Sequence, residues 1–200
     1  MYSLEPGLMF FVGAPATGKT ELCIKMLHNL DTMFSIRPET VYFYYERYQK
    51  AYDSLPAEVK LIEGIPDFYP DGERQLIVLD DLADLTEESN RLYRLAAVHA
   101  RHSNTYVICI KHNLFTNSKY SRDLALSATY YALFENVRYS GQIANLGRQL
   151  MPDRVGYFLD AYRKAIAHYG YLFVDLRPRQ TNRLLSDVTC AVGPVVYERV

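Results

Sequence analysis

The sequence predicts an α/β fold with a largely parallel central sheet flanked by helices, and three observations predict it. Short apolar runs of strand character alternate with segments of helical spacing. The first run ends in a glycine-rich turn leading into a helical pattern, and a later run ends in two adjacent carboxylates. Strands buried on both faces read as continuous apolar runs, and alternation with helices is the mark of a covered parallel sheet. Two hundred residues fit one such domain with a full core. No internal repeat, low-complexity tract or Pro/Gly-rich linker divides them, so residues 1–200 are read as a single domain.

Leu8 to Val12 is the first buried strand. Glu21 to Leu30 follows as a helix, with Leu22, Met26, Leu27 and Leu30 on one face. Thr40 to Tyr45, β-branched and aromatic, is a second strand, and Val59 to Ile62 a short one beyond the loop around Pro56. Gln75 to Leu79 is a strong buried strand. Glu87 to Arg101 carries acids at its start and arginines later, which suits a helix dipole. Tyr106 to Ile110 and Tyr130 to Phe134 are further strands, Arg154 to Tyr169 is a helix, and Tyr171 to Asp175 is the last strand. Ligands on such sheets bind at the carboxyl ends of the strands, so the loops after Val12, Tyr45, Leu79, Ile110 and Phe134 matter most.

Composition excludes several classes. With 49% apolar and 22% charged residues the chain is globular rather than disordered. Eighteen tyrosines without a tryptophan point to no chemistry by themselves. Cys23, Cys109 and Cys190 are odd in number and form no CxxC pair, against a disulfide framework or a zinc site. Cys23 and Cys109 are expected as core thiols. The apolar run Leu8 to Val12 is too short for a signal peptide or a membrane span, so the chain is expected in cytosol, nucleus or a virus assembly site, not secreted. The net charge of −1 hides an asymmetry: residues 1–100 carry 9 Lys/Arg against 16 Asp/Glu, and residues 101–200 carry 13 against 7. A basic half can serve nucleic acid, a solvated face or a subunit edge, and charge alone does not choose.

Gly13-Ala14-Pro15-Ala16-Thr17-Gly18-Lys19-Thr20 matches GxxxxGK[ST] at every fixed position, between a strand and a helix. Such a P-loop aims backbone N–H groups at phosphate oxygens, helped by the positive end of the helix dipole. Lys19 is placed to reach the β- and γ-phosphates of ATP, and Thr20 to offer its hydroxyl to Mg2+. A strand ending at Asp80 delivers a carboxylate that can hold the Mg2+, and Asp81 stands where a base polarises the attacking water. A turn or helix cap is the bland alternative for that pair. Two strand candidates, Thr40 to Tyr45 and Val59 to Ile62, separate the motifs, which points to the P-loop NTPases with an additional strand. No NKxD guanine-reading motif occurs. Lys111, His112 and Asn113 follow a strand where a polar side chain can sense the γ-phosphate. His99 and His102, three apart on the expected helix, lack a third ligand and are read as surface or interface residues.

The ordered set of motifs resembles the genome-packaging ATPases of large DNA viruses and virus-like transposons (poxvirus-type and Polinton-type), within the FtsK–HerA superfamily. The resemblance runs from about Leu8 to Leu185. Its stations are Gly13 to Thr20, Tyr42 to Glu46, Ile62 to Pro66, Ile77 to Asp81, His112 to Phe115, Arg122 to Phe134, Arg138 to Leu146 and Tyr169 to Leu176. It implies a RecA/FtsK–HerA-like fold and an ATP-hydrolysing motor that translocates double-stranded DNA into a viral capsid. It further implies a homo-oligomeric ring (hexamer or pentamer), capsid proteins as partners and no required membrane. In a ring, an arginine from the neighbouring subunit reaches the γ-phosphate, and Arg101, Arg122, Arg138 and Arg183 are the candidates. The chain departs from the family at His112, where glutamine is usual, which puts the sensor role on Asn113, and at Ala16, where Gly or Ser is common. A small-molecule or nucleotide kinase and a non-catalytic ATP-binding assembly protein are the alternatives that share a P-loop.

Overall fold

The structure is a computed structural model, and it describes residues 2–65, 72–82, 103–115, 121–178 and 183–198, with only the backbone at 121 and 122. The apolar runs become strands β1 (Gly7–Val12), β2 (Thr40–Tyr45), β3 (Val59–Glu63), β4 (Gln75–Asp80), β5 (Tyr106–Lys111) and β6 (Tyr130–Phe134). They pair in parallel throughout, in the order β3-β2-β4-β5-β1-β6. Tyr171–Asp175 forms the expected strand, β7, and pairs antiparallel to β6. It is not the last strand: β8 (Leu184–Ser186) and β9 (Val195–Val196) add to it antiparallel, completing a nine-stranded sheet.

The strand inserted between β1 and β4 is β5. Counting strand candidates along the chain gives the same class for the wrong reason, because β2 and β3 lie outside β4, away from the P-loop strand. The additional strand comes after the acidic strand in sequence and before it in space.

Side chains alternate across the sheet. Leu8, Phe10 and Val12 of β1 face one core with Ile143, Leu146, Phe158 and Tyr162. Met9 and Phe11 face the other with Leu22, Cys23, Met26 and Met33. The helices on the two faces are therefore α1 (Lys19–Leu27) and α2 (Leu30–Met33) on one side, and α4 (Ser140–Leu150) and α5 (Val155–Ala165) on the other. A shorter α3 (Ser121–Ser127) brings Leu124 to the α4/α5 side. Cys23 and Cys109 are both buried, one in each core, and Cys190 is exposed.

Three helix expectations are corrected. The helix over Glu21 to Leu30 breaks after Leu27, where Asn29 leaves helical geometry at φ −122°, and restarts as α2. The helix over Arg154 to Tyr169 stops at Ala165, because His168 and Tyr169 take left-handed φ values of 55° and 62°. Helix α4 lies where none is expected, although Ile143, Leu146 and Gly147 have helical spacing. Gly147 is required there by close approach: a Cβ would lie 2.7 Å from Phe158 Cδ1 of α5. The expected helix over Glu87 to Arg101, with His99 and His102, lies outside the described residues.

The tyrosines act as buckles. Tyr131 OH donates to Ala125 O at 2.7 Å, Tyr162 OH to Phe134 O at 2.9 Å, and Tyr106 OH to Leu4 O at 3.3 Å. Each buries a ring while its hydroxyl satisfies a nearby backbone carbonyl. Among the described residues no helix is long and apolar enough to cross a membrane.

Candidate nucleotide-binding site

The parallel strands deliver their carboxyl ends to one edge of the sheet, where the P-loop leaves β1. Gly13 N–H donates to Lys111 O of β5 at 3.3 Å, and Ala14 N–H to Glu135 O beyond β6 at 2.9 Å, so the loop is anchored to both neighbouring strands. Gly13 has to be glycine: a Cβ would stand 2.5 Å from Phe134 Cβ. Gly18 caps α1 with φ 93°, a left-handed value that glycine adopts freely. Ala16 also sits left-handed, at φ 59°, which costs an alanine about 1 kcal/mol. The first bond of α1 runs from Leu22 N–H to Gly18 O, leaving the N–H groups of Lys19, Thr20 and Glu21 outside the helix ladder.

Lys19 is buried, and its Nζ donates to Gly13 O at 3.0 Å and Ala14 O at 2.8 Å, with His112 Nδ1 at 3.5 Å. Burial holds its pKa below the ordinary lysine value, with the Asp81 and Asp80 charges pulling the other way. Thr20 Oγ1 donates to Asp80 Oδ2 at 3.1 Å. Asp80 is almost fully buried at the tip of β4, and burial pushes its carboxyl up to about 6. The Asp81 charge adds to that rise, while hydrogen bonds from Tyr52 and Thr20 and the Lys19 charge hold it down. Asp81 follows with φ 58°, its N–H held by Ile110 O of β5 at 3.1 Å. His112 Nε2 stands 3.3 Å from Asp81 Oδ1.

Pro15 to Glu21, Gln49, Ala51, Asp80, Asp81 and His112 line one cavity of about 390 Å³. Gly13 and Ala14 form the strand side of the loop. Asn113 does not line this cavity; His112, beside it, does. The structure thus places His112, rather than Asn113, against Lys19 and Asp81. Tyr52 was not legible as a site residue, yet its OH donates to Asp80 Oδ2 at 2.9 Å. Burial and Asp80 push that phenol far up, so it stays protonated and keeps its O–H to donate to Asp80. Asn136 and Gln142 brace the loop after β5. Asn136 Nδ2 donates to His112 O at 2.7 Å, and Gln142 Oε1 accepts from Leu114 N–H at 2.9 Å and Phe115 N–H at 3.2 Å.

Among the described residues the buried side-chain atoms with no hydrogen-bond partner are Asp80 Oδ1, Asp81 Oδ1 and Asn113 Oδ1. Such atoms are rare in folded proteins. Asp81 Oδ1 has His112 Nε2 at 3.3 Å and Asn113 lies off the cavity, so Asp80 Oδ1, on a carboxylate that lines the cavity, is the atom that points to a polar or cationic ligand there. The donor set suits Mg2+, a hard cation that prefers a few carboxylate or hydroxyl oxygens plus phosphate and water. No cluster of three or more His, Cys, Asp or Glu among the described residues is placed to hold a metal alone. A divalent ion at Thr20 and Asp80 would therefore share its coordination with a phosphate ligand.

Of the four arginines expected as possible trans fingers, Arg138 is exposed on the loop after β6, at the P-loop edge. Arg183 lies at the opposite end of the sheet, where its carbonyl accepts from Asp175 N–H at 2.9 Å, beside the start of β6. It lines a separate cavity with Arg154 and Tyr157. Arg101 and the Arg122 side chain lie outside the described residues. Arg177, counted in the basic half, is committed internally. It is paired with Asp175 at 2.7 Å and Glu5 at 3.3 Å and stacked over Tyr2 and Tyr130.

No protein-family model matches the chain, and no curated protein matches it. Its fold is shared with the genome packaging NTPase B204 from Sulfolobus turreted icosahedral virus 2. The B204 structure in complex with ATP-gammaS has a TM-score of 0.58 at 10% identity, with 98% of each chain covered. Its complex with AMP gives 0.56 at 11% identity, over 86% of this chain and 93% of that one. The complex with sulfate gives 0.56 at 11%, over 98% of each. The chain has the α/β fold of P-loop NTPases, with a mostly parallel central sheet flanked by helices.

Proposed function

We propose that the chain is an ATP-hydrolysing motor of the FtsK–HerA type that moves double-stranded DNA into a viral capsid. The observation that carries the enzymatic half is the meeting of Lys19, Thr20, Asp80 and Asp81 around one cavity at the tips of β1 and β4. The backbone N–H groups of Pro15's successors and of α1's first turn cradle the ATP phosphates. Lys19 supplies positive charge to the β- and γ-phosphates. Thr20 and Asp80 would hold Mg2+, which when bound neutralises charge on the phosphate oxygens. Asp81 orients water and takes its proton, and His112 steadies Asp81.

The packaging half is supported by the ordered motif set and by the shared fold of a genome packaging NTPase. The finer placement beside the poxvirus-type and Polinton-type enzymes rests on the motifs alone. In this reading the subunits form a hexameric or pentameric ring, and an arginine of the neighbouring subunit reaches the γ-phosphate. Arg138 suits that role, being exposed at the nucleotide edge. Arg148, Arg154 and Arg163 are exposed, where they can meet DNA phosphates without reading sequence. The viral capsid supplies the partner proteins, and the site of action is the virus assembly site in host cytoplasm or nucleus.

The test is the ATPase rate with and without duplex DNA, alongside the particle mass in solution. The reading expects a ring whose turnover rises with DNA. A monomer indifferent to DNA would defeat the motor and leave the ATPase standing.

A further inference from the structure

The two carboxylate oxygens of Asp80 have different surroundings. Oδ2 accepts two hydroxyls, Tyr52 OH at 2.9 Å and Thr20 Oγ1 at 3.1 Å. Oδ1 is buried with no hydrogen-bond partner, and Asp80 lines the nucleotide cavity. Tyr52 reaches it from the short 3-10 helix Lys50–Ser54 that follows β2, and Gln49 and Ala51 on either side of Lys50 line the same cavity. The phenol ring is itself fixed. It is 4% exposed and packs on Phe43, Tyr45 and Tyr48 at centroid distances of 5.1, 5.3 and 5.6 Å.

A carboxylate at a strand tip is soft about its last torsion, whose preference is broad and two-fold. Two hydroxyls on one oxygen remove that freedom. Thr20 must also offer a lone pair to a metal, whereas the Tyr52 hydroxyl serves Asp80. Resting on the nucleotide-site reading above, we propose that Tyr52 is the positioning residue of the metal carboxylate: it clamps Asp80 Oδ2 and so holds the carboxylate beside Thr20 for the Mg2+ that accompanies the nucleotide. Partners one step behind a metal ligand commonly contribute 10- to 100-fold to metal affinity.

Tyr52→Phe removes the hydroxyl and keeps the ring contacts. Binding of a fluorescent ATP analogue is measured across a MgCl2 titration and again in EDTA, with thermal unfolding as a control. The proposal expects the Mg2+ concentration for half-maximal enhancement of binding to rise about tenfold, with affinity in EDTA and the melting temperature close to wild type. An unchanged Mg2+ midpoint overturns it. So does an equal loss in EDTA together with a lowered melting temperature, which makes the hydroxyl a structural prop. Wild-type binding that is absent or indifferent to Mg2+ overturns the site reading, and this proposal with it.

Discussion

Thr20 Oγ1 and Asp80 Oδ2 are joined by a 3.1 Å hydrogen bond that closes the P-loop onto the tip of the acidic strand, sixty residues away in sequence. The bond forms although β5 separates β1 from β4 in the sheet. Asp80 therefore reaches across one strand to the first turn of α1, and the loop after β5 carries His112 to Lys19 and Asp81 beside them.

That burial makes Asp80 costly in the absence of metal. Its folded pKa of about 6 lies above the ordinary 3.8, so the folded state holds the proton more tightly than the unfolded one. The contribution is fully present below pH 3.8 and is lost as pH rises through about 6. Asp80→Asn, which still accepts from Tyr52 and Thr20, should stabilise the metal-free protein at pH 8 by on the order of 2 kcal/mol. The gain should shrink toward pH 5. Thermal unfolding at the two pH values checks this, and an equal effect at both would contradict it.

Asp81→Asn should bind ATP with near wild-type affinity and lose about 10²- to 10⁴-fold in turnover. Equilibrium binding and single-turnover hydrolysis separate the two quantities. An assembly protein that uses ATP as structural glue would instead be untouched by the change.

His112 is predicted to matter more than Asn113, because it lines the cavity and touches both Lys19 and Asp81. His112→Ala should lower kcat roughly 10- to 100-fold through misplacement of Asp81, while His112→Gln keeps a polar side chain there and should retain most activity. Asn113→Ala run in parallel is expected to be the milder variant. The reverse order would return the sensor role to Asn113.

Gly147→Ala probes the packing of α4 on α5. Its Cβ would meet Phe158 Cδ1 at 2.7 Å, and overpacking of this kind costs about 1–3 kcal/mol. Denaturant unfolding should show that loss with nucleotide affinity unchanged.

Strands β1, β4, β5 and β6 are legible in the sequence because burial on both faces turns each into a nearly unbroken apolar run, as in Leu76 to Leu79, whereas β2 and the exposed edge strand β3 are legible from their β-branched and aromatic residues. The P-loop is legible because its backbone geometry admits few residue types. Helix α4 is not, since Gln142, Asn145, Arg148 and Gln149 dilute a narrow apolar face of Ile143, Leu146 and Gly147. Strands β8 and β9, of three and two residues, are too short to carry a period. Contacts between distant segments are hidden as well. The motif stations around His112 to Phe115 and Arg138 to Leu146 read as separate features, yet Gln142 ties them into one hydrogen-bonded unit. Tyr52 is one of eighteen tyrosines, and only the fold singles it out by bringing it to Asp80.

The most direct test of the account is MgATP binding and hydrolysis by Lys19→Ala beside the wild-type protein. Lys19 is the buried cation at the centre of the loop, so its removal should weaken triphosphate binding and cut turnover by about 10²-fold or more. A Lys19→Ala protein with wild-type affinity and wild-type turnover would contradict the reading of this loop as a phosphate cradle.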